Sequence, residues 1–152
     1  MFHMTDPQRR EEISQLARLQ GEMLRKYKVG HPEWYAEMLV CAAYDGQLAL
    51  TNCPGHDLTC DRFGRVQVKC RVRGTDGVAH RVNFRKYKPE DFDHAAIVIF
   101  EPDFRIMDAV VLPVTDTLGL MRAAGHVSWQ PASTHTNAIS IREPLVAVSC
   151  ET

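Results

Sequence analysis

Between Arg65 and Arg73 the chain alternates without a break. Val66, Val68, Cys70 and Val72 fall to one side, and Arg65, Gln67, Lys69, Arg71 and Arg73 fall to the other. A repeat of two fits a strand and excludes a helix, and its polar half predicts a strand covered on one face only. Leu58 and Cys60, offset by one from Asp57, Thr59 and Asp61, carry the same pattern upstream, so the two runs read as the arms of a hairpin.

The connecting loop sets the register. Arg62-Phe63 lacks the Gly or Asn of a two-residue type I′ turn, whereas a three-residue loop ending on Gly64 in the left-handed conformation is a common solution. That loop places Asp61 opposite Arg65, Thr59 opposite Gln67, Leu58 opposite Val68 and Asp57 opposite Lys69. A two-residue loop would turn Asp57 into the apolar face, because a slip of one residue flips every side chain. Asp57, Gln67 and Lys69 are therefore expected on one solvent-facing patch.

On either side of the hairpin the patterning is mixed. Residues 8–28 carry Ile13, Leu16, Ala17, Met23, Leu24 and Tyr27 at helical spacing, with Asp6-Pro7 as cap and first-turn proline. A second helix is predicted from Pro32 to about Tyr44, bearing Glu37, and a short strand over 47–51. After the turn Gly74-Thr75-Asp76-Gly77, residues 78–85 alternate as a third strand. Ala95 to Phe100 is a continuous apolar run, expected to be a strand covered on both faces, paired with a strand from Arg105 to Leu112 that Pro113 closes. Thr115-Asp116-Thr117 is expected to cap a short helix that Gly125 stops, and Trp34 and Trp129 are expected in the core. The pattern fades from His126 on. The fold class is thus α/β (α+β), a mixed sheet of about five strands flanked by helices. It is read as a single domain with an N-terminal helix in 1–30, a core in 32–125 and an unplaced tail in 126–152.

Composition narrows the function. At 152 residues, 45% hydrophobic and 24% charged, the chain is ordinary for a soluble domain, with no apolar run long enough for a membrane span. Its N-terminus carries no basic start followed by an apolar stretch, so a cytoplasmic location is expected. Five cysteines, an odd number, predict reduced thiols, and the set Cys53, His56, Cys60 and Cys70 lacks the paired C-x2-C spacing of a zinc site. Charge is segregated: residues 62–88 hold nine basic side chains and one acidic, although the whole chain carries only −1. A polyanionic partner fits that asymmetry.

The hairpin also gathers reactive groups. A carboxylate such as Asp57 is a hard ligand that holds Mg²⁺ while leaving positions to water and phosphate. An ammonium beside it, Lys69, suits orienting or deprotonating that water and offsetting developing charge. Tyr35-Ala36-Glu37, then Gly55-His56-Asp57-Leu58, then Arg65-Val66-Gln67-Val68-Lys69 together resemble the PD-(D/E)xK nuclease superfamily, in its Gln-x-Lys variant. The resemblance runs from Trp34 to Thr115 and takes in Asp91-Phe92-Asp93 and Ala95 to Phe100. It departs from the family pattern in having His56 where a proline precedes the acid, and a neutral Gln67.

What the resemblance implies is a restriction-endonuclease-like core, with a catalytic set of Glu37, Asp57, Gln67 and Lys69. Asp57 would be the principal metal ligand, Gln67 a ligand or water-holder through its carbonyl, Glu37 an accessory acid and ligand, and Lys69 the water-orienting base. The neutral amide weakens the expected affinity for the metal. The function expected is a Mg²⁺- or Mn²⁺-dependent DNA endonuclease, with Arg65, Arg71, Arg73, Arg81, Arg85, Lys86 and Lys88 contacting DNA phosphates and a homodimer serving to cut both strands. The alternative is a catalytically inactive nucleic-acid-binding module on the same fold.

Overall fold

The structure, a computed structural model, describes residues 7–50, 53–74 and 80–151. In chain order the elements are α1 (Pro7–Tyr27), α2 (Pro32–Ala43), β1 (Gln47–Leu48), β2 (Leu58–Cys60), β3 (Gly64–Val72), β4 (Arg81–Asn83), β5 (His94–Phe100) and β6 (Ile106–Pro113). They continue with α3 (Val114–Gly119), β7 (His126–Ser128), α4 (Trp129–Ser133), β8 (Ile139–Ser140) and α5 (Arg142–Ser149). Six strands form a mixed sheet in the order β1-β2-β3-β5-β6-β8, and β4 and β7 form a separate two-stranded ribbon. All neighbours are antiparallel except β3 and β5, which run parallel from the pair Val66/His94 to Val72/Phe100. The class expected from the sequence is the class observed.

Strand alternation divides the core in two. Val66, Val68, Ala96, Val98, Phe100, Ala109 and Val111 face one side, where α1, α2 and α5 cover them with Leu24, Tyr35, Leu39 and Leu145. Ala95, Ile97, Ile99, Val110 and Leu112 face the other, beneath Val82, Phe84, Phe92, Val127 and Ala132. The helices dock through small residues: Gly21 of α1 admits Tyr35, whose hydroxyl accepts a hydrogen bond from Arg25 Nη1 at 3.1 Å.

Several expectations change here. β3 is not covered on one face only. It lies inside the sheet, and the segment running through β4 to Phe92 folds back over its polar side, leaving Gln67 only 5% exposed. The hairpin turn is Asp61–Phe63, with Gly64 at φ 70° already paired to Cys60, so Leu58 faces Val66 and Thr59 faces Arg65. The register therefore differs by two residues from the one expected; the shift is even, so the assignment of side chains to faces survives. Of the expected third strand only Arg81–Asn83 forms, and it pairs with β7 outside the main sheet. Part of that strand and most of the turn before it lie outside the described residues, as do Asp6 and Thr51.

The helix α3 starts at Val114 behind Pro113 with no side-chain cap; Thr117 instead donates its hydroxyl to the Pro113 carbonyl at 2.9 Å. Gly125 does not stop that helix but turns the chain into β7 with φ 83°. Trp34 is 52% exposed rather than core, because it occupies the outer side of the first turn of α2, while Trp129 packs against the second core. The unplaced tail supplies β7, α4, β8 and α5, including the fully buried Ile141 and Leu145. All five cysteines are free. Among the described residues no helix is long and apolar enough to cross a membrane.

Candidate active site

The site lies where β2 begins. The loop from Cys53 to His56 delivers Asp57 to the start of the strand, and Gly55 makes that approach possible: its φ is 92°, and a Cβ there would lie 2.8 Å from the Asp91 carbonyl oxygen. Asp57 donates its backbone N–H to the Val66 carbonyl at 2.8 Å, and its own carbonyl accepts from Ala49 N–H at 2.8 Å. Beyond the last ladder pair, Leu58 with Val66, β3 has no strand partner on this side. The Val68 N–H is satisfied instead by the Asp57 carboxylate, with Oδ2 at 2.8 Å. A buried donor left unpaired would cost about 1–3 kcal/mol, so this bond fixes the carboxylate in the plane of the sheet.

Glu37 reaches the same point from α2. The two carboxyl groups line one cavity, and both are shifted upward from their ordinary values. For Glu37 burial is the largest cause, followed by the Asp57 charge, and the group is pushed up to about 7. For Asp57 burial again leads, opposed by the Val68 N–H, by the hydrogen bond with Glu37 and by the charges of Lys69 and His56.

Lys69 makes no ion pair with Asp57 among the described residues. Its Nζ lies 4.9 Å from the centre of the Tyr87 ring and 5.9 Å from that of Phe84, both in the layer that covers β3. Burial lowers its pKa, the Lys86 charge lowers it further, and Asp57 partly restores it. Burial, then the Asp57 and Asp91 charges, raise the Tyr87 phenol, so it stays protonated.

Two cavities adjoin these groups. One, of about 280 Å³, is lined by Glu37 and Asp57 together with Trp34, Leu50, Cys53 and His56. The other, a shallow depression of about 510 Å³, is lined by Lys69, Asn83, Arg85 and Lys86. Of the four residues expected to act together, Glu37 and Asp57 line one cavity, Lys69 lines the other, and Gln67 lines neither. The expected solvent-facing patch is thus a partly buried cleft.

The basic residues divide as well. Arg65 is held by Asp93, with Nη2 to Oδ1 at 3.2 Å, and Arg73 by Glu101, with Nη2 to Oε2 at 3.0 Å. Arg71, Arg81, Arg85, Lys86 and Lys88 are exposed and form no ion pair among the described residues. Sequence reasoning missed Tyr87, Trp34 and the Val68 N–H. Tyr87 lies between two lysines in a stretch with no period, and the amide bond depends on where β2 stops.

Glu37 and Asp57 bring hard oxygens to one cavity, which fits an ion that takes one or two carboxylates and fills its shell with water and phosphate. Among the described residues no three His, Cys, Asp or Glu side chains converge as a metal site, and the Cys60 of the zinc set is buried in the helix-side core. No protein-family model matches the chain, and no curated protein is significantly similar to it.

Proposed function

We propose that the protein is a Mg²⁺-dependent DNA endonuclease of the PD-(D/E)xK type. The observation that carries the reading is that Glu37 and Asp57 line one cavity of about 280 Å³, with the Asp57 carboxylate tied to Val68 N–H. These two side chains would hold the divalent ion. When bound, the ion polarises a phosphoryl oxygen and lowers the pKa of a coordinated water.

The chain's own groups supply the rest. Lys69, whose pKa burial and Lys86 lower, acts as a neutral amine that takes the proton from the attacking water and becomes an ammonium. The same ammonium offsets charge developing on the phosphorane oxygens. Arg85 and Lys86 position neighbouring phosphates through the depression that Lys69 also lines. Cutting both strands would call for two copies related by two-fold symmetry.

Incubating supercoiled plasmid with Mg²⁺ or Mn²⁺ tests the reading. Metal-dependent nicking that disappears in Asp57→Asn and in Lys69→Ala is expected; nicking that survives both variants, or none in the wild type, overturns it. A second reading, a binding module without catalysis, is favoured by the buried neutral Gln67, which lines neither cavity. It predicts salt-sensitive DNA binding with no metal-dependent product.

A further inference from the structure

We infer that Trp34 is a stacking platform for an unpaired nucleobase, so that the site takes DNA with a single-stranded end or flap in preference to intact duplex. The inference rests on reading Glu37 and Asp57 as the phosphodiester-cleaving pair. Trp34 stands three residues before Glu37 on α2, on the same side of the helix, and both line the cavity that holds Asp57. Its indole is 52% exposed, whereas the next residue, Tyr35, is fully buried and stacked on Phe100 at 5.4 Å between ring centres. The indole is also oriented: it rests on the His31 ring at 4.1 Å between centres, tilted by 48°. Leu50, 86% exposed, adds a second apolar wall to the same cavity.

An aromatic face beside two carboxylates is poorly matched to phosphate and well matched to a base. Inside a duplex, neighbouring pairs cover both faces of each base, so only a terminal or unpaired base can lie flat on an indole. The basic depression begins at Lys69, the residue that follows Val68, whose N–H the Asp57 carboxylate accepts at 2.8 Å. A single strand passing from Arg85 and Lys86, across the carboxylates, to Trp34 would meet cations along its backbone and a ring at one base. Every base has such a face, so the platform selects strandedness and not sequence.

The test uses the full chain in EDTA, where hydrolysis does not intervene, and three probes: a short oligothymidylate, a blunt duplex, and that duplex carrying a thymidine overhang. Oligothymidylate and the overhang are expected to quench tryptophan emission, with the quenching kept in Trp129→Phe and lost in Trp34→Phe. Trp34→Ala should bind both of those probes roughly tenfold or more weakly, with Trp34→Phe intermediate and blunt-duplex affinity unchanged. Equal affinities of wild type and Trp34→Ala for the overhang, a parallel loss on all three probes, or no binding of single strand by the wild type would overturn the inference. Mg²⁺-dependent nicking with overhang binding unaffected by Trp34→Ala would remove the platform and leave the nuclease standing, and stacking without nicking would do the reverse.

Discussion

Asp57 stands in for a strand residue that is not there, because its carboxylate accepts the Val68 N–H that β2 stops short of. Asp57→Asn keeps an acceptor for that amide but removes the charge facing Glu37. The variant should therefore fold with an unchanged or higher melting temperature above neutral pH while losing metal-dependent cleavage, which paired melting curves and plasmid assays would check. The pH dependence follows from Glu37. Its carboxyl releases its proton at about 7 in the folded chain and at 4.5 ordinarily, so the native state holds that proton more tightly. The stability this contributes is full below 4.5 and is lost as pH rises through 7. Melting temperature in EDTA should fall across that window, and Mg²⁺ should lessen the fall by neutralising the pair; a profile that Glu37→Gln leaves unchanged would contradict this. The sequence led one to expect Glu37, Asp57 and Lys69 near one another, and Glu37 and Asp57 do line one cavity. The Asp57–Val68 bond was not legible, because it depends on where β2 begins and on the close approach of Gly55 to Asp91, which no local period records.

At the level of elements, a two-residue period is blind to shifts of two, and the hairpin shows it. The alternation put Val66 and Val68 on the apolar face and Gln67 and Lys69 on the opposite one, and the side chains do divide that way, yet the pairing slid to Cys60 with Gly64. Gly64 fixes that turn: with φ 70° and the site of a Cβ 2.6 Å from Asp93 Oδ2, Gly64→Ala should cost about 1–2 kcal/mol in the backbone alone. It should also disturb the carboxylate that accepts from Arg65 N–H at 2.8 Å, and denaturant unfolding measures the sum. The covering of β3 was unreadable for another reason. Phe84 falls on the apolar side of the 78–85 alternation, but a period does not say where the segment folds, and Phe92 lies in a stretch with no period, although together they close the second core. The C-terminal elements escaped in the same way, with α5 interrupted by Pro144 in its first turn, where proline is tolerated. Since Leu145 is fully buried, Leu145→Ala should destabilise the chain by about 2–5 kcal/mol; a loss below 1 kcal/mol would place α5 outside the cooperative core.

Over the whole molecule, charge segregation was visible in the sequence, but which cations are free was not. Arg65 and Arg73 are engaged by Asp93 and Glu101, while Arg85 and Lys86 border the depression beside Lys69. Arg85→Ala and Lys86→Ala should therefore each weaken DNA binding and reduce the slope of log affinity against log salt by about 1, with Arg73→Ala doing less. Fluorescence titration at several salt concentrations separates these outcomes. The account as a whole depends on the pair of carboxyl groups being a cation site. The most direct test is calorimetric titration of Mn²⁺ into the wild type and into Asp57→Asn and Glu37→Gln, at pH 6 and pH 8 in buffers of different ionisation enthalpy. The account predicts saturable binding to the wild type, tighter at pH 8, with proton release at pH 6 that is absent in Glu37→Gln, and binding abolished in Asp57→Asn. No saturable binding to the wild type, or undiminished binding to Asp57→Asn, would contradict it.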